Sequence, residues 1–467
     1  MHKPNYLPLI VLLILSITAV LLPAVPSTIV TEGLNSGDIA WMITAAAMVL
    51  LMTPGLAYFY GGMVNHKNVI STMLQSFIAM GIMSVLWVAV GFSLAFGDSI
   101  GGIIGNPGTF FMFNGVVDGK PWSLAPTIPL VLFAFFQLKF AIITPALITG
   151  SFAERINFKS YILFIGLFSL FVYAPIAHWT WHPEGFLFKL GVLDFAGGTV
   201  VHMSAGWAAL AAALYLKRRK THESNVTLPP ANIPFVLLGT GLLWFGWFGF
   251  NGGSAVGATP LAAIAFATTN TAAAAAGLSW ILFDWSKGRK PSALGFCIGA
   301  VVGLVAITPA AGFVTVPVSI FIGTVAGIVS NMVAHLRSKS KLDDTLDVFP
   351  CHGVGGIVGM IMTGIFASKA INGAVVDEGL YFGTTTLFVN HMIALVLVSI
   401  FAFGLSFVLL KVTDMILPLR VSETDEKLGL DLSQHNESLL ENVEEEEYSE
   451  PVSRSASRVM QPKSTLA

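Results

Sequence analysis

The sequence predicts an all-α integral membrane protein with eleven transmembrane helices, arranged as a 5+5 inverted repeat plus one. Hydrophobic residues make up 55% of the 467 residues and charged residues only 11%, whereas soluble domains usually carry about 25% charged residues. The mean hydropathy is +0.77, and long apolar runs recur between short polar connections. A water-soluble fold is therefore excluded, and the lipid bilayer is the solvent.

Residues 1–30 form a leader, either a signal peptide or an extra N-terminal helix. His2 and Lys3 precede an apolar stretch that ends in Pro and Ser, as in a signal peptide, but no clear small-x-small cleavage site follows. Both readings leave residues 31–38 on the outer side. Cleavage of the leader would place the mature N-terminus outside the cell.

Eleven apolar spans follow the leader within a membrane domain that covers residues 31–419. Crossing the hydrocarbon core takes roughly 20 apolar residues per helix. The predicted spans are residues 39–60, 69–95, 125–152, 160–179, 196–216, 231–250, 259–283, 292–309, 313–336, 348–366 and 384–412. An odd number of spans puts the two ends of the mature chain on opposite sides.

The distribution of Lys and Arg among the loops predicts the orientation, because short basic loops stay cytoplasmic. One set of alternate loops holds most of the basic residues, including the run 217–220, while the other set holds only Lys120, Lys189 and Lys369. The sequence therefore predicts a multi-pass protein of the cell (plasma) membrane with a cytoplasmic C-terminus.

Two acidic residues precede histidines at the same spacing in the fifth and tenth spans. Asp194 lies eight residues before His202, and Asp344 lies eight residues before His352. Five spans separate the two copies, so the second is inverted relative to the first, as in many transporters. Eight helical residues rise about 12 Å in a core about 30 Å thick. Both histidines are therefore predicted to converge near its centre.

A lone histidine in a helix bundle commonly just joins helices, but two at matched depth favour a pore. Ionisable side chains at this depth are costly and mark substrate paths or proton relays. The aspartates lie where helices begin, so we expect each to cap backbone N–H groups and complement the helix dipole.

Five sequence motifs lie along the chain, namely PGLAYFYGG (54–62), FQLKFAIITPALITGSFAER (136–155), DFAGGTVVH (194–202), GWFGFNGGSA (246–255) and DVFPCHGVGGIVG (347–359). Together they resemble the ammonium transporter family (Amt/Mep/Rh), and the likeness runs from about residue 38 to 437. The tail and a tryptophan at position 181 resemble the Amt branch more than the Rh-type gas channels, which stay an alternative.

The resemblance implies that Trp181, Phe140 and Ser254 form an outer recruitment site for the ammonium ion. Aromatic faces attract a small cation through cation–π interaction, and a hydroxyl oxygen accepts one of its N–H bonds. The resemblance further implies that Phe140 and Phe250 are stacked rings that close the pore below this site.

Below the gate, the resemblance implies a pore lined by His202 and His352, with Asp194 as structural support. A dehydrated cation is costly in hydrocarbon, so the expected mechanism is loss of a proton followed by passage of ammonia. Imidazole exchanges donor and acceptor roles near neutral pH. Whether the proton also crosses stays open.

Residues 420–467 are expected to form a cytoplasmic regulatory tail. The stretch from Arg420 to Glu437 resembles the tail that family members use to couple subunits, which implies a homotrimer and, in a subset of members, a PII-type signal protein as partner. The distal part, with the acidic run 441–447 and the Ser/Arg stretch 453–457, is too polar to pack and is expected to be disordered.

No cofactor is implied, and a net charge of −2 gives no reason to expect nucleic acid as a partner.

Two other function classes compete with transport. An ammonium sensor would use the same site and signal through the tail, although no output domain follows residue 420. A metalloenzyme would use His178, His202 and His352 with an aspartate, but only His178 and His182 have the i, i+4 spacing of helical metal sites. A lysine side chain directed into the pore would repel a cation. Lys139 lies next to Phe140 in the sequence, and we therefore expect its side chain to face a neighbouring helix or subunit.

Overall fold

The computed structural model describes residues 6–21, 29–224, 226 and 228–439. Most of these residues are helical. The long helices, in chain order, are α1 (Leu7–Leu21), α2 (Ser36–Met63), α3 (His66–Phe96), α4 (Leu130–Phe152), α5 (Phe158–Phe168, Ser169–Tyr173 and Ala174–Trp181), α6 (Gly198–Leu216), α7 (Ile233–Gly253), α8 (Pro260–Ser286), α9 (Ala293–Ile307), α10 (Val316–Ser338), α11 (Phe349–Phe366) and α12 (Thr386–Ile416).

Helices α2–α12 match the eleven predicted spans in order, which confirms the predicted fold class. Among the described residues, ten helices are long and apolar enough to cross a membrane. The remaining span, α9, has 15 residues, about 22 Å at 1.5 Å per residue, and a buried turn at residues 308–314 continues it. Helix α4 begins at Leu130, five residues later than predicted, because Pro129 takes the N-cap position in an extended conformation.

Four helices contain π-helical turns, and two of these carry the paired histidines. His202 lies in the turn Gly198–Met203 that opens α6, and His352 lies in the turn Phe349–Val354 that opens α11. Such turns in longer helices are frequent at functional sites. The two copies of the predicted repeat therefore share a local backbone feature as well as a residue spacing.

Glycines allow the two halves of the bundle to approach closely. Helix α2 packs along α7, and a Cβ atom on Gly239 would meet the backbone of Phe59. Helices α6 and α11 cross where Gly206 faces the backbone of Gly353. Small residues permit such contacts between membrane helices, and the second crossing brings the two π-helical turns together.

The connection between α3 and α4 lies at the predicted outer end of the bundle. It contains a two-stranded antiparallel hairpin, β1 (Ser99–Ile100) and β2 (Ile104–Gly105). The Trp179 indole N–H donates to the Ile103 carbonyl at 2.7 Å. This bond fastens the hairpin to the end of α5.

The proximal tail docks on the opposite end of the bundle. The Asn157 N–H donates to the Leu419 carbonyl at 2.7 Å, and Val421 returns a bond to Arg155 at 3.1 Å. Farther along, the Asp431 carboxylate accepts the N–H groups of Ile70 and Ser71, at 3.0 and 2.7 Å, at the start of α3. The tail therefore joins the α4–α5 connection to α3.

Three expectations from the sequence remain predictions. Helix α1 has no buried residues, and a signal peptide and an extra N-terminal helix both stay predictions for the leader. The acidic run 441–447 and the Ser/Arg stretch 453–457 lie outside the described residues. The membrane orientation rests on the loop charges alone.

A buried ion network ties together the connections beside the tail. Arg219 donates to Glu154 at 2.7 Å and, through Nε, to Asp343 at 3.0 Å. Arg155 lies 4.0 Å from the same aspartate, and both of these side chains are fully buried. Three loops that are far apart in sequence thus share one set of charges.

Candidate functional site

The carboxylate of Asp194 organises the start of α6. It accepts hydrogen bonds from the backbone N–H groups of Gly197, Gly198 and Thr199 at 2.8, 2.6 and 2.7 Å, and from the Thr199 hydroxyl at 2.6 Å. Gly197 has φ +118°, a conformation that favours glycine. An anion also complements the positive end of a helix dipole, so this cap fixes the turn that carries His202.

Asp344 occupies the equivalent place before α11. One of its carboxylate oxygens accepts the Phe349 N–H at 2.7 Å, at the start of the turn that carries His352. The other oxygen has no hydrogen-bond partner among the described residues. The two caps are therefore similar in position but not in the number of bonds they accept.

The two histidines meet at the crossing of α6 and α11. Their Nδ1 atoms are 3.3 Å apart, the ring centroids are 5.4 Å apart, and the planes differ by 23°. Both side chains are buried, and Nε2 of His202 has no partner among the described residues. Since one Nδ1 must donate and the other accept, each Nε2 atom is available to a third group.

Three aromatic side chains precede the histidines in space. The rings of Trp181 and Phe140 lie 5.6 Å apart, edge to face, and Phe140 lies 4.3 Å from Phe250 with a tilt of 46°. Phe250 lies 6.1 Å from His202. The resulting ring row runs Trp181, Phe140, Phe250, His202, His352.

A cavity of about 170 Å³, here called the vestibule, opens at the Trp181 end of the ring row. The Trp181 indole N–H donates to the Asp194 carbonyl at 3.0 Å. The Ser254 hydroxyl donates to the Phe250 carbonyl at 2.8 Å, which leaves its oxygen free to accept. The vestibule is lined by Trp122, Leu124, Phe133, Phe136, Gln137, Phe140, Trp181, Phe188, Phe195, Ser254 and Val256.

A much smaller cavity of about 10 Å³ touches His352 from the other side. Tyr60 and Cys351 are among its lining residues, and the Tyr60 hydroxyl donates to the Leu147 carbonyl at 2.9 Å. The path beyond the histidines is therefore narrow in this conformation.

Lys139 lies outside the vestibule lining. Its Nζ atom is 5.5 Å from the centroid of the Phe135 ring, which is partly exposed on the outside of the bundle. Adjacent residues on a helix point about 100° apart, so the neighbouring Phe140 faces the ring row while Lys139 faces away from it.

The histidines proposed for a metal site make other contacts. His178 and His182 stack at 4.3 Å, and the His178 ring contacts the Ser99 hydroxyl and the Ala95 carbonyl at 2.8 and 2.9 Å. Over the described part of the chain, no group of three His, Cys, Asp or Glu residues could hold a metal ion.

Two residues at the site were missed by sequence reasoning. Trp247 stacks on His202 at 5.4 Å and donates to the Thr308 hydroxyl at 2.9 Å. Gln137 lines the vestibule. Each lies three residues before a ring of the row, a spacing that puts side chains on one helix face. This spacing identifies Trp247 and Gln137 as site residues only when the inward face of each helix is already known.

A row of rings leads from the vestibule to paired imidazoles inside a bundle of membrane helices, and the family that this chain matches consists of membrane transport proteins and not of enzymes. The model of the Ammonium Transporter Family matches residues 40–439. The chain belongs to this family, which confirms the resemblance of its motifs.

Curated relatives and solved structures agree with this assignment. The ammonium transporter Amt1 of Archaeoglobus fulgidus is 45% identical over 86% of this chain and 99% of its own length. The ammonium transporter of Bacillus subtilis is 46% identical over 86% and 98%. Among solved structures, Saccharomyces cerevisiae Mep2 has a TM-score of 0.79 at 35% identity, covering 84% of this chain and 88% of its own. A solved structure named Sensor Amt Protein has a TM-score of 0.78 at 32% identity over 85% and 98%.

Proposed function

We propose that the protein is an ammonium transporter that recruits the ion in the vestibule, removes a proton and conducts ammonia past the paired histidines. The observation that carries this proposal is the unbroken ring row, which ends at two buried imidazoles 3.3 Å apart. Relatives named ammonium transporters, similar over almost their whole length, support the choice of substrate.

Recruitment uses Trp181, Phe140 and Ser254. Both rings line the vestibule, and a cation held over a ring face gains about 0.5–2 kcal/mol depending on desolvation. The Ser254 oxygen accepts one N–H bond, because its own proton is engaged by the Phe250 carbonyl. Asp194 supports the site by holding the Trp181 indole and the start of α6.

The contact of Phe140 with Phe250 is where the charge is lost. The centroids are 4.3 Å apart and both rings are buried, so no hydrated ion passes. Carrying a charge into such surroundings costs at least about 2.5 kcal/mol even on insertion scales. In the proposed step, one N–H bond of ammonium breaks, the proton passes to a water molecule beside the rings, and ammonia moves past Phe140 and Phe250. A proton that returns to the outer solution makes transport neutral, and one that crosses separately makes it electrogenic.

The histidines then give ammonia polar partners in an otherwise apolar path. Ammonia donates to an Nε2 lone pair or accepts from an Nε2–H, so each His edge replaces part of its lost hydration. The Trp247 ring stacks on the His202 ring. This contact fixes the orientation of the imidazole and keeps its Nε2 atom directed at the ammonia path.

The test is current across a supported membrane that carries the purified protein, recorded on an ammonium pulse. The native protein is expected to give a saturable current or, if transport is neutral, ammonia flux into vesicles with a pH-sensitive dye. Replacing His202 and His352 together by Ala should abolish or alter it, while His66→Ala, at the exposed start of α3, should not. Native transport in the double variant would reject the mechanism.

An ammonium sensor is the second candidate, and the tail docked on α3 is the observation that favours it. A structural neighbour is also named a sensor. Ammonium binding with no current and no ammonia flux would support sensing. Flux in a variant truncated after Val421 would show that transport does not need the docked tail.

We further propose that the chain forms a homotrimer in the cell membrane, with its tail in the cytoplasm and open to a PII-type signal protein. The basic loops support this orientation. Native mass spectrometry tests the trimer, reporter fusions at residues 32 and 439 test the orientation, and co-purification with a PII protein tests the partner.

A further inference from the structure

The vestibule wall contains one polar side chain that the proposed mechanism does not use. Gln137 on α4 is 9% exposed, and its Oε1 atom has no hydrogen-bond partner among the described residues. An unpaired buried acceptor is costly to keep and calls for an explanation. Gln137 lines the vestibule, and rotation of its terminal amide brings Oε1 to a donor that enters there, which supplies the missing bond.

The position of Gln137 places that acceptor beside the proposed recruitment site. Gln137 lies three residues before Phe140, on the same face of α4. Ser254, at the C-terminal end of α7, lines the same vestibule and offers a second oxygen whose own proton is already donated. The vestibule thus presents two hydrogen-bond acceptors among aromatic rings and, within its lining, no cationic side chain.

We propose that Gln137 is a substrate-binding residue whose side-chain carbonyl accepts an N–H bond from ammonium and so distinguishes it from cations without N–H bonds. This inference rests on the proposed function of the vestibule. Ammonium has four N–H donors arranged tetrahedrally, so two can be met by Gln137 and Ser254 while the others meet water. A bare monovalent metal ion gains the ring faces but no directional bond.

Gln75 on α3 provides a matched control within the same chain. It is also a buried glutamine, 1% exposed, with an unpaired Oε1 atom, but it does not line the vestibule. A general effect of deleting a buried amide would therefore appear in both positions, and an effect on ammonium only at residue 137.

The experiment measures apparent KM and maximal transport rate for ammonium, as current or as ammonia flux into vesicles, in Gln137→Met, Gln137→Glu and Gln75→Met. Methionine keeps the length without the acceptor, so Gln137→Met should raise KM about tenfold, equivalent to ~1.4 kcal/mol. Its maximal rate should change little. Gln137→Glu should keep or lower the native KM, and Gln75→Met should leave it unchanged. Potassium should compete for the vestibule better in Gln137→Met than in the native protein.

Native KM in a monodisperse Gln137→Met protein would overturn the proposal, as would an equal rise in Gln75→Met. If Gln137→Met does not fold, Gln137→Glu decides, because a raised KM with the acceptor retained contradicts the inference. Absence of any saturable response in the native protein would instead reject the proposed function itself.

Discussion

Removing the charge of Asp343 should destabilise the protein far more than breaking an exposed ion pair. The Asp343 side chain is fully buried and accepts bonds from Arg219 N, Nε and Nη2 at 2.8, 3.0 and 3.0 Å. Asp343→Asn removes the negative charge that neutralises the guanidinium groups of Arg155 and Arg219 inside the protein. The exposed pair of Glu184 with Lys189, 3.6 Å apart, provides the control Glu184→Gln.

The magnitude follows from burial. Deleting one partner of a buried ion pair costs about 3–5 kcal/mol, and we expect the lower end, about 3 kcal/mol, because the asparagine oxygen still accepts hydrogen bonds from Arg219. An exposed pair is worth about 0–1 kcal/mol. Thermal unfolding in detergent, followed by tryptophan fluorescence, should show a large fall in Tm for Asp343→Asn and almost none for Glu184→Gln.

The pH dependence gives a second check. Burial works to raise the pKa of the Asp343 carboxyl, but hydrogen bonds and charge from Arg219, with the charge of Arg155, lower this pKa below its ordinary value. A lowered carboxyl pKa stabilises the fold above the unfolded pKa of about 3.9 and loses that effect as pH falls through the folded pKa. The difference between native and Asp343→Asn should therefore be constant from pH 8 to 5. Equal Tm losses in the two variants, or a gap that closes by pH 6, would refute this reasoning.

Three more predictions concern the site and the tail. Asp194→Asn replaces one carboxylate oxygen by an amide group that points its N–H at a backbone N–H of α6. The substitution should lower the free energy of unfolding by about 2–4 kcal/mol and lower transport; native stability would contradict the cap. Gly206→Ala places a methyl group on the backbone of Gly353 and should cost about 1–3 kcal/mol with loss of flux, while Gly241→Ala, whose added carbon meets nothing within 4 Å, should behave as native. Asp431→Asn should speed trypsin cleavage at Lys427, because the bonds to α3 weaken; unchanged cleavage would show that the tail docks without them.

The helical spans and the residue spacing were predictable because both are local. Each span is a run of apolar residues long enough for a bilayer, and the eight-residue interval before His202 and His352 is visible in the letters. The late start of α4 also has a local cause, Pro129, which the hydropathy of residues 125–129 conceals.

Contacts between distant residues were not predictable in the same way. Trp247 meets His202 across 45 positions of sequence, and Asp431 reaches Ser71 across 360. Neither residue stands out by type, since the chain has 10 tryptophans and the tail has several acids. The family resemblance supplied the proposed roles of Trp181, Phe140, Phe250 and Ser254, which spacing alone would not have distinguished from packing.

One hydrogen bond joins the Nδ1 atoms of His202 and His352. Because only one of these atoms can donate, the two imidazoles differ in the group that each presents at Nε2. When His202 Nδ1–H donates, its Nε2 is a lone pair and His352 presents Nε2–H; when the proton sits on the other side, both ends reverse. The pair thus always offers one donor and one acceptor to whatever lies beside it. Exchange between the two tautomeric arrangements reverses this dipole, so a molecule entering from either end can meet a complementary atom first.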